Sequence, residues 1–342
     1  MADLSIRLRE ILKTAQGKEV NLADLRKELN IDPSSSANAN LRMLMSVNFV
    51  NQGLVKPSGR RDGVYKVIKR VEPVRVFIPG RELRPEVDLR FPEDKATGME
   101  IGIAEEFVIR EGDLITLGGV KNRGKTLLCL NFAAVNIDRR PILMGNEYTV
   151  LTKEGWEPQQ RFLSRLKRMA KKDIIGDKGW VNWTDEKGND KFTLYPVRED
   201  YEDHIVRDSI NIIDWINIEG EFWEISPVLE GIKRHLGRGI AIVALQKREG
   251  AIDPRGGQFT EDFSDVMLLL DGYGDTDILM TVKIAKETRH PVMGKTFAYS
   301  IVEGGTQLWN FREVKKCVKC RGSGYTGGGT CSECRGKKFV DT

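Results

Sequence analysis

At 342 residues, 40% hydrophobic and 30% charged, the chain has the length for two or three domains and enough apolar content for real cores. It has no apolar run of about 18 residues, which excludes a transmembrane helix, and residues 1–15 mix charge into every turn, which excludes a signal-peptide core; a cytoplasmic address and no membrane partner are expected. The net charge of +4 is mild but uneven, with eight Lys or Arg against two Glu between 312 and 338 and a second basic cluster over 56–75, a distribution that suits nucleic acid.

Residues 1–71 read as three helices and a hairpin. Leu4, Ile6, Leu8, Ile11 and Leu12 fall near one helical face. NLADLRKELNI follows, with Asn21 as its N-cap, and a third helix starts at SSSANAN with Leu41, Leu44, Met45 and Val47 inward. VKPSGRRDGVYKVIK then gives two short strands around a turn. The set looks like a winged helix-turn-helix, whose third helix enters the major groove of duplex DNA and whose wing, tipped by Arg60 and Arg61, meets phosphates. The same module also serves protein contacts. Residues 72–107, with prolines at 73, 79, 85 and 92 and no sustained period, read as a linker.

An α/β core is expected over 108–312. DLITLGGV is a buried strand and KTLLCLNFAAVNI a helix, with Cys129 a small core residue. Between them, Gly119 to Thr126 fits GxxxxGK followed by Ser or Thr. Amides of the loop containing Gly119, Asn122, Arg123 and Gly124 cradle phosphates. Lys125 reaches the terminal phosphates, Thr126 ligates Mg²⁺, and Arg123 is a candidate phosphate or interface contact. RPILMGNEYT ends in Glu147, placed to activate water. SINIIDWI ends in Asp214, at a strand end expected beside the cradle strand, where the Mg²⁺ shell needs a carboxylate. GIAIVALQKREG ends in Gln246, suited to sense the γ-phosphate. The Gly-rich loop after it carries Lys247, Arg248 and Arg255, candidates for the nucleic-acid backbone. On QQRFLSRLKRMAKK, Arg161, Arg165, Arg168 and Lys172 form one stripe and Phe162, Leu166 and Met169 another. That helix either tracks a phosphate backbone or is a solvated amphipathic surface. His204, His235 and His290 stand isolated.

Over 108–305 the order of these elements resembles the RecA-like P-loop ATPases, in particular DnaB-type hexameric helicases and their plasmid and phage relatives. The resemblance implies an α/β RecA-like core that hydrolyses ATP with Mg²⁺ between subunits of a homo-oligomeric ring or filament on single-stranded DNA. It implies Glu147 for the water, Asp214 for the metal shell, Gln246 for sensing, and a basic finger reaching a neighbour's γ-phosphate. In IAKETRHPV the finger falls on Arg289, with Lys286 and Lys283 as alternatives, because Lys286 and Arg289 are spaced three apart where the helicases have two. No guanine-reading Asn-Lys-x-Asp is present, so ATP is expected over GTP. A helicase or translocase in replication or recombination is the first reading. An ATP-switched DNA-binding initiator or regulator, or a filament-forming recombinase, are the alternatives.

Over 313–342, Cys317, Cys320, Cys331 and Cys334 form CxxC, ten residues, CxxC. Two such turns complete a tetrahedron around Zn²⁺, and a set of four thiolates is closed and structural. CVKCRGSG resembles the CxxCxGxG repeat of the DnaJ zinc domain; the second half departs from it at Lys338. Only the zinc hairpin is implied, since nothing in the chain resembles a J domain.

Overall fold

The computed structural model describes the chain except residues 1, 60–61, 70–72, 81, 173–177 and 217–223. It divides into two compact units, Met1–Leu83 and Arg84–Thr342. Arg60 and Arg61, the expected wing-tip cations, lie outside the described residues.

The first unit holds helices Ala2–Thr14, Leu22–Leu29 and Ser36–Met43 and a small antiparallel sheet in which Val64–Val67 lies between Glu19–Asn21 and Val55–Pro57. Asn21 caps the second helix, its side-chain oxygen accepting from the Asp24 N–H at 2.8 Å, and Ser35 starts the third. Leu8, Leu12, Leu41, Met45 and Phe49 close the core. Val47, expected inward, is 49% exposed. Leu44–Asn48 turns as a π-helix, and its wider turn rotates the following face so that Phe49 is buried instead. Ile6 also points outward, because it lies two residues from Leu8 and so off the buried stripe.

The second unit is built on a mixed sheet of 12 strands. Its parallel part runs, in spatial order, Thr193–Tyr195, Ile142–Met144, Ile210–Ile213, Ile240–Gln246, Leu114–Gly119 and Val266–Tyr273. Asp277–Ala285, Thr296–Val302 and Gln307–Lys316 then continue it antiparallel. This large, mostly parallel sheet with the cradle strand inside it fits a RecA-like core. One expectation is corrected: the Asp214 strand is not beside the cradle strand, because Ile240–Gln246 stands between them. IAIVAL is apolar on both faces. Ile240, Ile242 and Ala244 pack in the layer that holds Leu128 and Phe132 of helix Lys125–Val135, while Ala241, Val243 and Leu245 pack in that of Leu229 and Ile232 of helix Ile225–His235. A strand apolar on both sides is stable only with a layer over each face, which is the middle of the sheet.

Part of the expected linker belongs to this core. Leu89, Phe91, Ile101, Ile103 and Phe107 are buried in its main cluster, with Phe91 stacked on Phe107 at 5.5 Å and edge-on to Phe132 at 5.2 Å. Asp94, also buried, accepts from the backbone N–H groups of Asn310 and Phe311 at 2.8 and 2.9 Å, which ties this segment to the sheet's far edge.

Candidate functional site

The cradle is shaped by backbone first. Asn122 and Gly124 adopt left-handed conformations, at φ 61° and 81°, and turn the chain from the Leu114–Gly119 strand into helix Lys125–Val135. No side chain caps that helix, so its first amides remain available to an anion. Lys125 is buried and its ammonium donates to the carbonyls of Gly119 and Val120 at 2.8 and 3.0 Å. Burial lowers its pKa, and the nearby Asp214 works against that.

Around the cradle lies a pocket of about 400 Å³, a size that suits a small-molecule ligand. It brings together Asn122, Arg123, Gly124, Lys125, Thr126, Glu147 and Gln246 from three separate stretches of sequence. Gly119 and Asp214 do not line it. Gly119 stands behind Lys125, where a Cβ would come within 3.0 Å of that side chain. Asp214 is fully buried, and neither carboxylate oxygen has a hydrogen-bond partner among the described residues. Burial pushes its pKa up to about 7, with Thr126, Lys125 and Arg165 favouring the charged form and Glu147 opposing it. A buried carboxylate with no formed hydrogen bond among the described residues, close to the Thr126 hydroxyl at a phosphate cradle, is what a hard cation requires. The donor set therefore fits Mg²⁺. Glu147 sits in the turn after Ile142–Met144, where the indole N–H of Trp215 reaches its carboxylate at 3.4 Å. The approach is made possible by Gly145, at φ 122°: a Cβ there would stand 2.4 Å from the Asp214 carbonyl oxygen.

The other expected residues lie elsewhere. Lys247 is buried, its ammonium paired with Asp271, so it does not reach outward. Arg248 and Arg255 are exposed on the same loop. The base of that loop is pinned to the cradle, with Lys247 N–H donating to the Gly119 carbonyl at 2.9 Å and Arg255 N–H to the Gln246 carbonyl at 2.7 Å. Arg289 lines a different and larger cavity of about 920 Å³. That cavity's charged lining is mostly acidic and lacks any phosphate cradle, so its size does not make it the nucleotide site. Within its own chain Arg289 donates to the Glu105 and Phe107 carbonyls and pairs with Glu86. Lys286 bonds Asp265 at 3.1 Å, and Lys283 pairs with Asp253 and Glu261.

In the tail, the sulfurs of Cys317, Cys320, Cys331 and Cys334 all lie within 4.8 Å of one another, and all four residues are buried. Cys317 and Cys331 sulfurs are 3.8 Å apart and those of Cys320 and Cys334 3.5 Å. A tetrahedron with metal–sulfur bonds of about 2.3 Å has edges of roughly 3.8 Å, so the set fits Zn²⁺.

No protein-family model matches the chain, and no curated protein sequence does. Among solved structures, a DnaB-like replicative helicase studied with its primase interactions is similar at 13% identity and a TM-score of 0.39, covering 59% of this chain. The match spans 58% of that helicase's own length. A KaiC-like protein from the archaeon Pyrococcus horikoshii is similar at 16% identity and a TM-score of 0.41, over 66% of this chain and 99% of that one. Both likenesses are remote, and the chemistry is read from the site itself.

Two residues that sequence reasoning did not assign to the cradle line its pocket. Arg161 and Arg165, from helix Gln160–Met169, line it beside the cradle. Helical periodicity separated their stripe from the apolar one, but periodicity does not say what a polar face meets. Trp215 also lines the pocket, and no sequence signal beyond its place after Asp214 marks it.

Proposed function

We propose that the chain is a RecA-like ATPase that moves on or remodels DNA in replication or recombination, as a helicase or translocase working in a homo-oligomeric ring or filament. The meeting of Lys125, Thr126, Glu147 and Gln246 in one pocket, with the orphaned Asp214 carboxylate next to them, carries this reading. ATP supplies the terminal phosphoanhydride bond that is cleaved. The uncapped helix start binds phosphate oxygens, and Lys125 exchanges its two carbonyl partners for them. Thr126 and Asp214 are the residues that would hold Mg²⁺. Glu147 accepts the proton of the attacking water, and the Trp215 N–H fixes the carboxylate's direction. A pure nucleotide switch has no use for Glu147, which favours the motor.

The coupling to DNA is argued from the pinned loop. Because its two ends are bonded to Gly119 and Gln246, any shift of those strand ends is felt at the loop that carries Arg248 and Arg255. Those two exposed arginines suit a phosphate backbone. In the same reading residues 1–71 act as a winged helix on duplex DNA or a protein, and the four cysteines hold a structural zinc. The test is the ATPase rate with and without single-stranded DNA, in the wild type and in Glu147→Gln. DNA should stimulate the wild type, and the variant should bind ATP but hydrolyse it about a hundredfold more slowly. A rate indifferent to DNA removes the motor, and normal hydrolysis by the variant removes the assigned base.

A further inference from the structure

The nucleotide pocket contains more positive charge than its cradle needs. Lys121, Arg123, Lys125, Arg161 and Arg165 line it, against Glu147. The last two arginines come from helix Gln160–Met169, which is fixed from behind. Phe162 and Met169 are buried, Phe162 packs 4.9 Å from Tyr148, and the Trp183 indole donates to the Leu166 carbonyl at 3.1 Å. Farther along the helix, Arg168 donates to the Gly304 carbonyl at 3.2 Å. Arg161 and Arg165 are one turn apart, so the packing that holds the apolar stripe presents both to the same side. Among the described residues neither guanidinium has a hydrogen bond or an ion-pair partner, whereas Arg110, Arg289 and Arg312 of the same unit are all paired. Two unpaired guanidinium groups, held on a packed helix and turned toward a phosphate cradle, are suited to a polyanion.

We propose that Arg161 and Arg165 bind the terminal phosphate of ATP in cis, so that the charge developing in the transition state is neutralised by the chain that holds the nucleotide. The inference rests on the ATPase reading above and changes where its positive charge comes from. Arg289, expected to reach a neighbour's phosphate, is spent within its own chain on two carbonyls and Glu86. Moving it to another subunit breaks all three contacts. Arg161 and Arg165 need no such release. Because they line the same pocket as Glu147, the residue proposed to act on the water that attacks the terminal phosphate, the contact proposed for them is with the phosphate that ATP has and ADP lacks. They therefore also confer preference for the triphosphate.

The test compares Arg161→Gln/Arg165→Gln, Arg165→Lys, Arg289→Gln and Lys125→Ala in the full chain. Affinities for ATP and ADP are measured by displacement of a fluorescent nucleotide, and kcat and KM by phosphate release. The double variant should lose about a hundredfold in kcat/KM and most of its preference for ATP over ADP, with an unchanged melting temperature. Arg165→Lys should recover part of the affinity and little of the rate, since an ammonium keeps the charge and loses the fork. Arg289→Gln should match the wild type in both measurements. A double variant with wild-type rate and wild-type ATP/ADP ratio overturns the proposal, as does an Arg289→Gln variant that alone reproduces the loss. Failure of the underlying reading looks different: Lys125→Ala then binds nucleotide as well as the wild type does.

Discussion

At Asp214 the stability of the fold and the role proposed for the carboxylate are in conflict. Its carboxylate is buried and has no formed hydrogen bond among the described residues, and burial pushes its pKa from the ordinary 3.8 up to about 7. A folded-state pKa above the unfolded one means that the unfolded chain releases its proton first. Between about pH 4 and pH 7 each rise in pH therefore favours unfolding, and above pH 7 the full penalty, at most roughly 4 kcal/mol, is in place. Asp214→Asn in nucleotide-free protein should melt higher than the wild type at pH 8, and the gap should close toward pH 4. Thermal melts across that range check it; an equal gap at both ends would sink the assignment. The same variant should lose Mg²⁺-dependent hydrolysis. Gly145→Ala makes the complementary case. It sets a methyl group 2.4 Å from the Asp214 carbonyl at a φ of 122°, so a loss on the order of 2–3 kcal/mol is expected by urea denaturation, together with loss of activity. The meeting of Lys125, Thr126, Glu147 and Gln246 in one pocket was legible because the phosphate, metal and water chemistry proposed for them each restricts the residue type at a strand or helix end. Arg161 and Arg165 were visible as a stripe but not as lining of the cradle pocket. The cradle lies across space from their helix, and no local pattern encodes that.

Among the elements, those with strong local patterns were the ones sequence could read. The cradle strand and its helix came from a motif in context, and the Asn21 cap from side-chain chemistry at a helix start. What periodicity missed was nonlocal or irregular: the π turn that exposes Val47, and the strand inserted between Asp214 and the cradle. The cysteine hairpin lies at the legible extreme, since spacing alone anticipated sulfurs now within 4.8 Å of one another. Its two small strands, Tyr325–Thr326 and Gly329–Thr330, are too short to hold the turns without a staple. Purified protein should contain one zinc per chain, and Cys317→Ser should lose it. Amide exchange should then rise across 317–338 and stay unchanged in the Leu114–Gly119 strand. Metal content that survives the substitution would remove the four-thiolate site.

At the scale of the whole molecule, the boundary between the units decides which fragments are stable. Composition placed the start of the core at 108, because a proline-rich stretch of mixed charge looks like a tether. The structure begins the second unit at Arg84. The difference is physical: in 84–107 the apolar residues are few and have no period, yet Leu89, Phe91, Ile101, Ile103 and Phe107 all enter the main core. A residue count per window does not reveal that. Truncating one buried Phe to Ala costs about 3–5 kcal/mol, and whole domains are stable by only about 5–15 kcal/mol. Removing both Phe91 and Phe107 with three buried aliphatic neighbours exceeds that margin. A fragment of residues 84–342 should therefore be soluble, melt cooperatively and bind ATP as the full chain does. A fragment of residues 108–342 keeps every residue proposed to touch nucleotide but should aggregate or melt without a cooperative transition. If the shorter fragment instead unfolds cooperatively at the same temperature as the longer one, residues 84–107 are a tether after all, and the buried aromatic cluster contributes little to the core.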